Sequence, residues 1–105
     1  MRTQNNRDGI YELLVKAISE KKLVRFRFRN KVRIAEPHDY GVQKGKIRLF
    51  CYQVRGQSSE PLPGWRWIEV PEISDLEILS ETFPGSRSEQ SSRHHKWDKV
   101  FARVG

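Results

Sequence analysis

Val24-Arg25-Phe26-Arg27-Phe28-Arg29 alternates apolar and cationic side chains without a break, a period of two that belongs to a β-strand. Val24, Phe26 and Phe28 then share one face and Arg25, Arg27 and Arg29 the other. The stretch from Lys21 to Arg33 holds seven positive charges and no acidic residue. Alternate side chains of a strand stand about 6–7 Å apart, close to the spacing of successive phosphates in single-stranded nucleic acid. The row is therefore either an anion-binding face or a solvated outer surface.

The rest of the chain is punctuated around that strand. Asn5, Asn6 and Asp8 offer helix caps, and Ile10, Leu13, Leu14, Ala17 and Ile18 recur at helical spacing, which predicts one amphipathic helix ending near Glu20. Asn30-Lys31 is a turn into a second strand over Val32 to Glu36, which Pro37 ends or demotes to an edge. Ile47 to Val54 carries apolar residues on both faces and is expected to be the central strand. Gly56 to Gly64 is a loop rich in Ser and Pro. Trp65 to Val70 is a fourth strand with Trp65 and Trp67 on one face, broken by Pro71. Ile73, Leu76, Ile78 and Leu79 give a fifth, entered through a single helical turn. The expected fold is mainly β, a small five-stranded antiparallel barrel with one N-terminal helix, over residues 1–83. Residues 84–105 are expected to form a flexible basic tail. Trp97, Val100, Phe101 and Val104 fall at roughly helical spacing there, so a short helix docking on the barrel or on a partner is expected.

Charge separates along the chain. Lys and Arg number 20 against 13 Asp and Glu, and the net +7 divides into +7 over residues 1–33, −3 over 34–85 and +3 over 86–105. Basic ends around an acidic middle are the distribution of a protein with an anionic partner, and serve solubility equally. The single Cys51 excludes an internal disulfide and a cysteine-rich zinc site. No apolar run approaches the length of a membrane span and the N-terminus lacks a secretory signal, which predicts a soluble, cytoplasmic protein without membrane contact. At 105 residues the chain has room for one modest core, much of it aromatic.

A resemblance rests on ordered landmarks: Glu36-Pro37-His38-Asp39-Tyr40-Gly41, Tyr52-Gln53-Val54-Arg55-Gly56, Gly64-Trp65-Arg66, and Ile73 with Leu76-Glu77-Ile78-Leu79. In order and spacing these resemble the WYL domain family, particularly its small stand-alone bacterial members, from about Ile10 to Phe83. The resemblance implies an SH3/Sm-like barrel that senses nucleotides or nucleic-acid ends in transcription regulation. The family's eponymous Trp-Tyr-Leu falls on Ile47, Arg48 and Leu49. Glu69 and Glu72 stand where many relatives carry Arg, which weakens an anion pocket there. Arg48 adds a cation on the central strand. The chain lacks the helix pair that major-groove reading needs.

Three functions compete. The first is binding of single-stranded nucleic acid or a nucleotide, with Arg25, Arg27, Arg29, Arg48 and Arg66 on phosphates and Tyr40, Tyr52 or Trp65 stacking on a base. Against it, any one of these aromatics is an ordinary packing residue. The second is a protein-interaction or regulatory subunit that binds a partner chain or itself. The third, an enzyme, would draw on His38, His94, His95, Asp39 and Asp98, but no nucleophile, phosphate-loop or triad signature accompanies them. The reading is a non-catalytic module with no cofactor and no metal.

Overall fold

The computed structural model describes residues 7–87 and 96–105. Helix α1 (Arg7–Glu20) leads into strands β1 (Lys22–Phe28), β2 (Lys31–Gln43), β3 (Lys46–Gly56) and β4 (Gly64–Glu69). A 3-10 turn at Val70–Glu72 precedes β5 (Ser74–Thr82), and β6 (Lys99–Arg103) closes the chain. The first four strands form a meander, and β5 returns to the free side of β1, giving the antiparallel order β4-β3-β2-β1-β5 with β6 beside β2. This is the mainly β fold with one N-terminal helix that the sequence predicts, carried by six strands rather than five. Asn5 and Asn6, expected as caps, lie outside the described residues, while Asp8 falls within the helix.

The β1 pattern is realised directly: Val24, Phe26 and Phe28 are buried and Arg25 and Arg27 exposed. Arg29 leaves the row. With Asn30 it forms a two-residue turn between Phe28 and Lys31, both at positive φ (52° and 63°), the twist that suits a tight hairpin. On the inner side, Ile10, Leu14, Ala17 and Ile18 of α1 pack into one core with Leu23, Val24, Phe26, Phe28, Leu49, Cys51, Ile68 and Val70. Burying a side chain the size of Leu or Phe contributes about 1.5–3 kcal/mol, so this cluster is what holds helix to sheet.

Three expectations are corrected. Pro37 does not end β2, which runs on to Gln43. It sits where β2 changes neighbours, since pairing with β1 stops at Ala35 and pairing with β6 starts at Asp39. The register against β3 also shifts between Pro37 and Asp39, and a bulge is where a strand accommodates a residue without an N–H. The hub of the sheet is accordingly β2, with β1, β3 and β6 all paired to it, rather than β3. The tail forms a strand, not a short helix, and it does dock on the sheet. Gly41 makes that possible, because a Cβ there would lie 2.1 Å from the Lys99 carbonyl oxygen.

Candidate nucleic-acid interface

The arginine row does not stand alone on its face. Arg25 pairs with Glu77, Arg27 with Asp75 at 3.7 Å, and Arg29 with Glu69 at 3.0 Å and Glu72 at 3.2 Å. Hydrogen bonding to Glu72 raises the Arg29 pKa above its ordinary value. Arg48 shares Glu69 at 3.2 Å and donates to Gln43 at 3.0 Å. Arg55 forms a two-pronged pair with Glu81. These acids lie on β5, in the 3-10 turn before it and at the end of β4, and β5 is laid along β1. The acidic middle of the sequence thus folds back on its basic start, and the row meets a matching row of carboxylates. Exposed pairs of this kind contribute little to stability, but they cancel the field a phosphate would feel.

Arg66, another expected phosphate contact, is turned inward. Its guanidinium donates to the Trp65 carbonyl at 2.8 Å, to Ser58 Oγ at 2.9 Å and to the Pro61 carbonyl at 3.0 Å, clasping the loop between β3 and β4. Gly64 gives it room, since a Cβ there would lie 2.7 Å from Arg66 Nη1. Arg33, which the sequence reading passed over, lies on the core side beside Phe28 and donates to Gln53 Oε1 at 3.2 Å. Burial is the main cause that lowers its pKa, and the nearby Arg66 charge adds to it. The hairpin turn falls on Arg29-Asn30 rather than on the expected Asn30-Lys31, and its register sets Arg33 opposite Phe26, on the buried face.

The other face of β3 and β4 carries an aromatic strip. Cross-strand partners share a face, so Phe50 and Tyr52 lie beside Trp67 and Trp65. Trp97, from the C-terminal segment, sits 5.6 Å from Trp67; Trp67 lies 4.5 Å from Phe50, Phe50 stacks on Trp65 at 4.6 Å, and Trp65 meets Tyr52 at 5.1 Å. The Arg87 guanidinium lies 4.0 Å above Tyr52 and is held by two 2.8 Å bonds to buried Glu36. Arg48 stands 5.8 Å over Trp67. Tyr52, Trp65, Trp67 and Trp97 are half-buried, whereas Phe50 is fully covered. Two of the expected stacking residues, Tyr52 and Trp65, therefore come together here.

His38 borders the strip, edge-on to Trp65 at 4.8 Å and stacked on Phe83 at 5.5 Å. Its Nδ1 lies 3.0 Å from the Glu36 carbonyl, so Nδ1–H donates and Nε2 is left as an acceptor. Desolvation lowers its pKa and keeps the ring neutral. That Nε2, with Trp65 Nε1 and Trp97 Nε1, is buried without a hydrogen-bond partner. His38, drawn on by the enzyme reading, lies in β2. His94 and His95 lie outside the described residues.

Tyr40 faces the opposite way, into an apolar groove of about 600 Å³ between α1, β3 and β6, beside Tyr11, Val15, Ile47 and Phe101. Burial pushes its phenol up to about 12. The site residues read from the sequence thus fall in separate places: an ion-paired row, an inward clasp, a groove and an aromatic strip.

Lysines carry the charge that the arginines do not. Among the described residues only Lys22 forms an ion pair, with Glu20 at 3.4 Å. Lys44, Lys46, Lys96 and Lys99 gather at one end of the sheet. The β2–β3 turn is tied there to the C-terminal segment by Gly45 N–H to Asp98 at 3.2 Å and by Gln43 to the Lys96 carbonyl at 3.3 Å. Lys46, Arg48, Phe50 and Tyr52 alternate along β3, which puts Lys46 in line with the strip. Among the described residues no group of His, Cys, Asp and Glu is placed to hold a metal, and no helix is long and apolar enough to cross a membrane. Comparisons of the chain with protein-family models, curated proteins and solved structures find no match.

Proposed function

We propose that this chain is a non-catalytic, WYL-like regulatory module that binds single-stranded nucleic acid or a nucleotide on the aromatic strip of β3 and β4. Bases stack on Tyr52, Trp65 and Trp67, and the phosphates run toward Lys44, Lys46, Lys96 and Lys99. One observation carries the reading: half-buried rings lie in register along two strands, and Lys46 continues their line along β3. Stacking on an aromatic platform contributes about 1–3 kcal/mol per base and needs no particular sequence. Phosphate contacts made by lysines supply the charge-dependent share.

The test is fluorescence anisotropy of a labelled thymidine 12-mer at 50 and 200 mM salt. Four phosphate contacts to a single strand give a logarithmic slope of roughly −2.8, or about fifty-fold weaker binding across that range. Lys44→Glu with Lys46→Glu flattens the slope by more than one unit. A slope near zero, or no binding at 50 mM, overturns the reading.

The second reading, a protein-interaction subunit, draws on the groove, where Val15 and Phe101 are both 42% exposed. If copies of the chain associate there, sedimentation equilibrium detects a dimer that Val15→Asp dissociates. A monomer at every concentration removes self-association.

A further inference from the structure

The apolar groove of about 600 Å³ is walled on one side by the helix and on the other by the last strand. Tyr11, Val15 and Ser19, spaced four apart on α1, form the first wall, and Phe101 of β6 belongs to the second. From Tyr11 to Ser19 the wall runs about 12 Å, two turns of helix, which is the shape of a bed for a second helix. Two charged residues also line it, Glu12 and Lys16, both exposed. A Glu four residues before a Lys is the order that pairs along a helix, yet among the described residues neither forms an ion pair. An anionic ligand would meet Glu12 and a cationic one Lys16. A surface that faces a second copy of itself across a two-fold axis instead needs one free charge of each sign, because residue i then meets j and j meets i. The spacing fits that contact. Where two antiparallel helices cross at Val15, Glu12 of one and the partner's Lys16 lie on the same side of the crossing, about 3 Å apart along the axis. The exposed Val15 stripe is then the wall of its own groove and the ridge that enters the other.

We infer that two copies of the chain associate as an antiparallel two-fold dimer, α1 of each seated between α1 and β6 of the other, with Glu12 on the partner's Lys16 and Lys16 on the partner's Glu12. The inference rests on the second reading above, self-association at the groove, and names its geometry. It is independent of nucleic-acid binding, because Ile47 lines the groove while Phe50 and Tyr52 lie on the opposite face of β3.

Sedimentation equilibrium at 50 mM salt compares the unaltered chain, Glu12→Lys, Lys16→Glu and an equal mixture of the two variants. Each variant alone sets like charges opposite each other twice in its own dimer, so it self-associates at least about ten-fold more weakly. In the mixture each altered residue meets an opposite charge, and a mixed dimer forms with an affinity within about three-fold of the unaltered chain's. A mixture no more associated than either variant alone overturns the inference. Variants that each associate as tightly as the unaltered chain also overturn it, while leaving self-association at the groove standing. An unaltered chain that is monomeric at every concentration removes both. Should either variant fail to fold by circular dichroism, the salt response of the unaltered chain decides: raising the salt to about 0.5 M weakens a dimer held by these pairs, and equal or tighter association refutes them.

Discussion

Cys51 shows how far a residue's chemistry is set by its neighbours. It is fully buried on β3, and burial pushes its thiol from an ordinary value near 9 up to about 12. The thiolate is the reactive form, so at neutral pH this cysteine packs as a small apolar side chain. The consequence for stability has a definite sign. An unfolded chain loses the thiol proton from about pH 9, the native chain only near 12, so stability is intact below 9 and falls as pH rises between the two. The loss is about 1.4 kcal/mol per pH unit, and the raised Tyr40 phenol adds a second decline starting about one unit higher. Urea unfolding at pH 8, 9, 10 and 11 is predicted to show this decline, and Cys51→Ala to make it shallower by about 1 kcal/mol per unit between pH 9 and 11. An unchanged slope in that variant would mean the thiol is not shielded. Arg33 makes the complementary point, because its side lies between apolar Val32 and Ile34 and reads as outward. The Arg29-Asn30 turn nevertheless sets Phe26 opposite Arg33, on the buried face.

Among the elements, β1 was legible and β6 was not, for the same physical reason. The alternation over Val24 to Phe28 is long enough to separate a period of two from one of 3.6. Val100, Phe101 and Val104 are too few to do so, and what makes Lys99–Arg103 a strand is the open flank of β2 beyond Ala35, a tertiary fact. Gly41→Ala tests that docking: a Cβ 2.1 Å from the Lys99 carbonyl oxygen forces β6 away. Hydrogen exchange is predicted to lose protection at Ala102 and its neighbours in β6, while β1 to β4 keep theirs. Full protection of β6 in the variant would mean that the strand accommodates the methyl group. The arginine row was legible as a pattern but not in its partners, because Asp75 and Glu77 lie about fifty residues away and meet β1 only through the β1–β5 register. Charge reversal of Arg25 and Arg27 is therefore predicted to change 12-mer affinity less than three-fold, and a ten-fold loss would return the phosphate contact to this face.

At the scale of the whole molecule, composition announces a basic protein, and folding redistributes that charge. The arginines are largely consumed by carboxylates within the chain, on β5, on the turn before it, at the end of β4 and on β2. Arg103 on Asp39 at 2.9 Å and Arg87 on Glu36 at 2.8 Å also bind the C-terminal segment to the hub strand. The net surplus is left on lysines: Lys44, Lys46 and Lys96 lie where the β2–β3 turn is tied to the C-terminal segment, and Lys99 stands 5.8 Å over Phe101. A molecule built this way uses arginine for cohesion and lysine for its field. That division fits the different chemistry of the two cations, a planar fork suited to fixed carboxylates and a hydrated point charge suited to mobile contacts. In the proposed function, bases and phosphates make separable contributions, the rings answering for one and the lysines for the other. A single comparison separates them most directly: the affinity of the unaltered chain, at 50 mM salt, for a thymidine 12-mer and for an abasic 12-mer with the same number of phosphates. Stacking on Tyr52, Trp65 and Trp67 predicts that the abasic strand binds at least roughly ten-fold more weakly, while equal affinities would show that charge alone holds the strand and contradict the aromatic site.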